Sequence, residues 1–160
     1  MSSDKCILLS YGIGGHTAQM NNLAPNLKLL LPNHYFISIS DNKIEPTWSN
    51  KHFVVDEVRK KFKTKPDFLN FKFFNLLKTL KIIHRNHNVK VILSTGPGIS
   101  FFTALYFKFK GVKIIHIETW SRFTTRSLTG RLMYIISDKF YVQNESLLLI
   151  YPKAIYSGLL

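Results

Sequence analysis

Cysteine is nearly missing from this chain: Cys6 is the single one among 160 residues. One thiol excludes an intrachain disulfide and a cysteine-based metal cluster, and it fits a reducing compartment. Acidic residues are scarce as well, nine against 22 Lys and Arg, which leaves a formal charge of +13. That excess predicts an anionic partner: nucleic acid, an acidic membrane surface or a phosphorylated ligand. A membrane-spanning run is also missing. The most apolar uncharged stretch, 91–107, has 17 residues, short of the roughly 20 a spanning helix needs. Gly96-Pro97-Gly98 in its middle favours a turn. The apolar run after the polar start, 6–9, is too short for a signal-peptide core. Membrane contact is therefore expected to be peripheral, with no transmembrane helix.

Apolar residues are plentiful, at 46% with 13 Phe, 7 Tyr and 2 Trp. That fraction argues against disorder despite the charge. The length suits one domain, taken as 1–160. Strands are expected at 6–11, 34–39, 52–55, 89–94, 112–117 and 139–142, with a last edge strand at 154–156. Helices are expected from a Thr17 cap to about Leu31, over 67–84, from the 95–98 turn to about Lys110, and over 127–136 behind a Ser127 cap. Leu23, Leu27, Leu30 and Leu31 supply the first helix's apolar stripe, and Pro25 marks a kink or a break in it. A basic loop covers 59–65, Gly111 is a helix end, and 145–150 forms a short helical turn. The alternation predicts an α/β, Rossmann-like, mostly parallel sheet with helices on both faces. Its binding edge lies outside the carboxyl ends of the strands.

Three segments reach that edge. Gly12, Gly14 and Gly15 let the backbone approach a ligand closely. The helix start behind them offers free amides to a phosphate. The spacing is neither GxGxxG nor a P-loop. His16 and Thr17 follow directly, and His16 is placed to take a proton from an acceptor hydroxyl or merely to bond the loop. Thr95, Gly96, Pro97 and Gly98 form a second loop beside Ser94 and Ser100. It reads as a ligand loop or as a plain strand-to-helix turn. Glu118 follows the 112–117 strand, so its carboxylate is expected to bind a sugar hydroxyl or orient His16. Trp120 and Phe123 are candidates to stack on a sugar, and Arg122 and Arg126 to pair with phosphates.

Aromatics are interleaved with lysines. Lys72, Lys78 and Lys81 accompany Phe62, Phe68, Phe71, Phe73 and Phe74; Lys108 and Lys110 accompany Phe101, Phe102, Phe107 and Phe109. Such amphipathic stretches suit an anionic membrane interface, with lysine stems lying along apolar surface. The same aromatics also suit a core or a protein interface. Without a nucleic-acid-binding signature, nucleic acid is set aside as partner. No spacing of His with carboxylates forms a metal cage, and no G-x-S-x-G elbow is present.

The segments Gly12 to Thr17, Ser94 to Gly98, Ile117 to Arg122, Ser127 to Arg131, Tyr141 to Gln143 and Tyr151 to Ala154, in that order, resemble the Alg14 / PssD family of polysaccharide-biosynthesis proteins. The resemblance implies the amino-terminal, acceptor-side half of a split GT-B glycosyltransferase. It implies an Alg13- or PssE-like partner that holds most of the UDP-sugar donor site, and no intrinsic cofactor. It further implies a lipid-diphosphate-linked saccharide acceptor at the cytoplasmic face of the membrane. Gly12, Gly14, Gly15, Thr17, Thr95, Gly96, Gly98, Arg122 and Arg126 would hold that acceptor, and His16 with Glu118 would activate its hydroxyl. The His16 loop is also similar to the acceptor-side glycine loop of MurG-like glycosyltransferases. The missing amino-terminal anchor looks more like the bacterial PssD group, whose product here would be capsule, exopolysaccharide or another surface glycan. Glu118-Thr119-Trp120 stands where Glu-Ser-Phe is more usual. A non-catalytic membrane scaffold and a free-standing nucleotide or sugar-phosphate binding domain are the alternatives.

Overall fold

Near-continuous apolar runs make up the central strands, as a sheet covered on both faces requires. In strand β1 (Cys6–Ser10), Cys6 and Leu8 enter one core cluster while Ile7 and Leu9 enter the other. Alternate side chains of a strand point to opposite faces, so both faces must be buried. A computed structural model describes residues 5–56 and 71–160 of the chain. The basic loop expected at 59–65, the start of the helix expected at 67, and Phe62 and Phe68 lie outside the described residues.

The remaining elements, in chain order, are α1 (Gly15–Leu30), β2 (Tyr35–Ser40), β3 (Lys51–Val54), α2 (Phe71–Asn86), β4 (Val89–Ser94) and α3 (Gly98–Lys108). Then come β5 (Lys113–Ile117), α4 (Leu128–Ile136), β6 (Lys139–Val142), a 3-10 turn at Glu145–Leu149 and β7 (Ile155–Tyr156). The seven described strands form one sheet in the order β3-β2-β1-β4-β5-β6-β7. Every pairing is parallel. This is the Rossmann-like arrangement the alternation predicted. Its strand order reverses between β1 and β4, which defines a crevice at their carboxyl ends.

Helix α1 covers one face, with Met20 and Ala24 buried against Leu9, Phe36 and Leu93. The other three helices cover the opposite face. Leu76, Leu80 and Ile83 of α2, Ala104 and Phe107 of α3 and Met133 of α4 pack there around Leu8, Ile37, Ile92 and Ile114. Ser127 caps α4 as expected, accepting from the Gly130 amide at 2.7 Å. Gly111, at φ 77°, follows the end of α3.

Two local expectations change. Thr17 is not the cap of α1. Gly14 occupies that position at φ 78°, and Thr17 sits inside the first turn with its hydroxyl donating to the Gly12 carbonyl at 2.7 Å. Leu23, Leu27 and Leu31 pack on the core as expected, beside Met20 and Ala24, but Leu30 is 75% exposed. Helix phase explains this: 3.6 residues per turn carry position 30 off the face that 20, 24 and 27 share.

Pro25 lies within α1 without ending it. It withholds one amide from the helix ladder at an exposed position. Its ring also restricts the unfolded chain, which offsets roughly 1 kcal/mol of that cost. Pro25→Ala is expected to raise unfolding free energy by about 1–2 kcal/mol, read by urea titration. An unchanged or lowered midpoint would show that the α1 backbone is shaped to the ring.

Candidate functional site

Strands β1 and β4 are hydrogen-bonded neighbours in register, with Ser10 opposite Ser94. Their following loops therefore emerge side by side. Gly12 lies flat against the Pro97 ring, where a Cβ would overlap the ring carbons. Thr95 and His16 bond reciprocally: the His16 Nδ1–H donates to the Thr95 carbonyl at 2.7 Å, and the Thr95 hydroxyl donates to the His16 carbonyl at 3.3 Å. A carbonyl only accepts, so Nδ1 carries the hydrogen and a neutral His16 keeps its lone pair at Nε2. The ring lies over Gly96, at φ 93°, where a Cβ would stand 2.9 Å from Cε1. A side chain at 96 would therefore push His16 aside.

Burial lowers the His16 pKa; the Thr95 bond and the charges of Glu118 and Asp41 work in the opposite direction. Asp41, just past β2, also accepts the Ile13 amide at 2.9 Å. The glycine loop is thus held from the β2 side by a carboxylate that the sequence reading did not single out.

Glu118 is 2% exposed. Its Oε2 accepts the Tyr151 hydroxyl at 3.1 Å, its Oε1 accepts the Thr119 amide at 3.1 Å, and the Ser127 hydroxyl lies 3.3 Å from Oε1. Its backbone carbonyl accepts from Gln143 at 2.9 Å. The carboxylate therefore works among fixed donors, near the α4 N-terminus whose dipole favours negative charge. It bears on His16 through its charge. Burial and the Glu118 carboxylate both raise the Tyr151 pKa, so the phenol stays a donor.

These groups wall a cavity of about 310 Å³. Gly15, His16, Thr95, Gly96, Glu118 and Arg122 all line it, with Trp120, Ser121, Ser127 and His116. The sequence-chosen residues divide here. Gly12 and Thr17 shape the glycine loop from inside, and Gly14 caps α1. Gly98 opens α3 beyond the cavity wall. Arg122 also donates to the Thr125 hydroxyl at 3.0 Å. Arg126 turns away: it donates to the Ile150 carbonyl and its guanidinium lies 5.2 Å over the Tyr151 ring. Asn144 ties down the connecting loop by donating to the Trp120 carbonyl at 2.8 Å and to that of Arg122 at 2.5 Å. His116, Ser127, Tyr151 and Asn144 were missed as site residues. A signal existed for one of them: His116 precedes Glu118 by two residues, so an extended chain sends both to one face.

Among the surface lysines, Lys78, Lys81 and Lys110 are exposed, Lys72 is half-buried, and Lys108 pairs with Asp138 at 2.9 Å. No group of three His, Cys, Asp or Glu among the described residues is arranged to hold a metal. No described helix is long and apolar enough to cross a membrane.

The doubly wound sheet with its cavity at the strand-order reversal defines a Rossmann-like domain of the GT-B type. Solved structures share the fold. They include Staphylococcus aureus MnaA with UDP (TM-score 0.68, 12% identity, 97% of this chain and 44% of that one) and Acinetobacter baumannii MurG (TM-score 0.57, 12% identity, 87% and 41%). The chain thus spans under half of each of those proteins. The family profile described as oligosaccharide biosynthesis protein Alg14 like matches residues 6–160, and the chain belongs to this family. Among curated relatives, the UDP-N-acetylglucosamine transferase subunit alg14 of Schizosaccharomyces pombe is 31% identical, covering 97% of this chain and 83% of that protein. The rat subunit of the same name is 28% identical, covering 95% and 81%.

Gly130 has no room for a side chain. A Cβ there would overlap Glu118 Oε2 and stand 2.7 Å from the Tyr151 hydroxyl and 2.8 Å from the Ser127 hydroxyl. Gly→Ala in a helix ordinarily stabilises by up to about 1 kcal/mol. Gly130→Ala is expected instead to destabilise by about 1–3 kcal/mol in thermal or urea unfolding. A gain in stability would mean that the carboxylate is loosely held.

Proposed function

We propose that the chain is the acceptor-side subunit of a two-component glycosyltransferase, and that His16 is its general base. The observation that carries this reading is the committed His16 ring, with Nδ1 bound to Thr95 and a bare Nε2 in a cavity walled by Arg122, Trp120 and Glu118. The acceptor is a saccharide on a lipid diphosphate, and the donor is a UDP-sugar held mainly by an Alg13/PssE-like partner. The relatives' names make UDP-N-acetylglucosamine the first donor to test.

The acceptor hydroxyl gives its proton to His16 Nε2 as its oxygen bonds the sugar's anomeric carbon, and the bond from that carbon to the UDP oxygen breaks. Glu118 stabilises the imidazolium by charge across the cavity. Arg122 and the first-turn amides of α1 face the acceptor phosphates. The product would be a surface glycan such as capsule or exopolysaccharide.

A membrane role rests on α2. Phe71, Phe74, Lys78, Lys81, Ile82 and Arg85 recur with a helical period, and all are exposed, opposite the buried Leu76, Leu80 and Ile83. Mixed basic and apolar residues on one outward face suit an anionic surface. The complex then works peripherally at the cytoplasmic leaflet.

The reconstituted pair is expected to lose about 10²–10⁴-fold in kcat with His16→Ala and less with Glu118→Gln. Equal turnover in wild type and both variants would leave the scaffold alternative standing. A base must be neutral, and burial holds His16 below its ordinary value of 6.5. Activity should therefore persist below pH 6.5 and fall as pH drops through the lowered value; an acid limb above 6.5 would contradict that. Separately, Lys78→Glu with Lys81→Glu should reduce flotation with phosphatidylserine-containing vesicles several-fold, while neutral vesicles show little binding by either protein. Undiminished flotation would remove α2 from the membrane surface.

A further inference from the structure

Under the second loop runs a buried polar chain that neither the glycine loop nor Glu118 accounts for. His116, 1% exposed, lies on β5 with its Nδ1 3.1 Å from the Ser94 hydroxyl. That hydroxyl, fully buried, accepts the Gly96 amide at 3.2 Å. The Gly96 amide belongs to the same peptide unit as the Thr95 carbonyl, which accepts His16 Nδ1–H at 2.7 Å. One peptide plate thus joins the two histidines.

The plate has no intrinsic reason to hold its orientation. Glycine tolerates either sign of φ, so a peptide preceding Gly96 is free to flip. Gly96 sits at φ 93°, and polar partners hold it there. Ser100, itself accepting from Ser10 at 3.0 Å, donates to the Gly96 carbonyl at 3.0 Å and anchors the far side. Ser94 anchors the near side.

We propose that His116 is a positioning residue: through Ser94 it fixes the Thr95–Gly96 peptide in the orientation that makes His16 an Nδ1–H tautomer. The hydrogen inventory sets the direction. A serine hydroxyl has one hydrogen to give. With Nδ1 of His116 bare, Ser94 donates to it and keeps lone pairs for the Gly96 amide. With Nδ1 protonated, His116 and Gly96 would both donate to Ser94, whose own hydrogen would face no acceptor among the described contacts. Burial drives the His116 pKa down to about 3, with the His16 charge acting in the same direction, so the ring is neutral and has a lone pair to offer. Hydrogen bonds running one way reinforce each other in a buried setting. The two histidines therefore hold opposite tautomers, His116 with its hydrogen on Nε2 and His16 with its hydrogen on Nδ1.

The catalytic consequence rests on His16 being the base; the tautomer assignment does not. The first measurement is therefore made on the chain itself, labelled with ¹⁵N-histidine, at a pH above 7. Imidazole nitrogen shifts should show His16 protonated at Nδ1 and His116 at Nε2. His116 protonated at Nδ1, or His16 at Nε2, overturns the proposal without any variant. Next, Ser94→Ala and His116→Leu should shift the His16 population toward Nε2–H, while Ser94→Thr and His116→Asn, which keep a hydroxyl and an acceptor, retain the wild-type signature. An unshifted His16 in folded Ser94→Ala and His116→Leu chains overturns it as well. In the reconstituted pair, the two disruptive variants should lower kcat roughly three- to tenfold at constant KM, the weight of one buried hydrogen bond. A rise in KM alone would make His116 an acceptor contact and refute the positioning role. If the tautomers are as stated but His16→Ala turns over normally, the base reading fails and the positioning chain stands.

Discussion

The parallel pairing of β1 with β4 is the constraint on which the rest depends. It sets Ser10 against Ser94 in register, so the loops that follow leave the sheet together. Every contact between the two loops follows from that adjacency: Gly12 on Pro97, His16 on Thr95, the His16 ring on Gly96. The sheet reverses its order at this pair, so no crossover helix among the described residues fills the space above it. The cavity is what that reversal leaves open.

Below the cavity the protein holds polar groups in a nearly waterless setting, where an unpaired one is costly. The solution is local pairing. Ser10, Ser94, Ser100 and His116 bond among themselves and to the Gly96 backbone, and Glu118 is held by Tyr151, Ser127 and Thr119. Two glycines make room for this. Gly96 admits the His16 ring, and Gly130 admits the Glu118 carboxylate at the start of α4. Fixed partners of this kind hold the His16 ring and the Glu118 carboxylate in place, and the proposed chemistry needs that electrostatic preorganisation.

The aromatic and basic residues divide according to the face of the strand or helix that carries them. Phe36, Phe107 and Phe140 are core, and Phe73 and Phe102 pack edge to face at 5.3 Å between α2 and α3. Phe71, Phe74 and Phe109 face solvent. Lys108 is drawn into a pair with Asp138, whose carboxyl is held below its usual range by the Ile114 amide and the lysine in spite of partial burial. Charge counted along a chain takes no account of such pairing, which depends on where β6 begins relative to α3.

By itself the sequence determined the layer architecture, because the apolar runs of the strands, the helical stretches between them and the punctuation at Gly12–Gly15, Gly96–Gly98 and Gly111 are local properties. It also determined the three loops that line the site, since in a parallel sheet every strand ends on one edge. Helix starts were less legible. Thr17 looks like a cap, but Gly14 takes that position because only a residue free to adopt φ 78° lets the loop turn so tightly. Only the tertiary structure decided which members of each loop do what. Arg122 joins the cavity wall and Arg126 goes to Ile150 and Tyr151; Glu118 is gripped by Tyr151 from 33 residues away. The roles of Asp41, Asn144 and His116 arise the same way. Each bonds a partner that is distant along the chain and adjacent only once the strands have chosen their neighbours. A linear pattern records which side chains share a face; a hydrogen bond also needs a partner placed across the sheet, and that placement exists only in the fold.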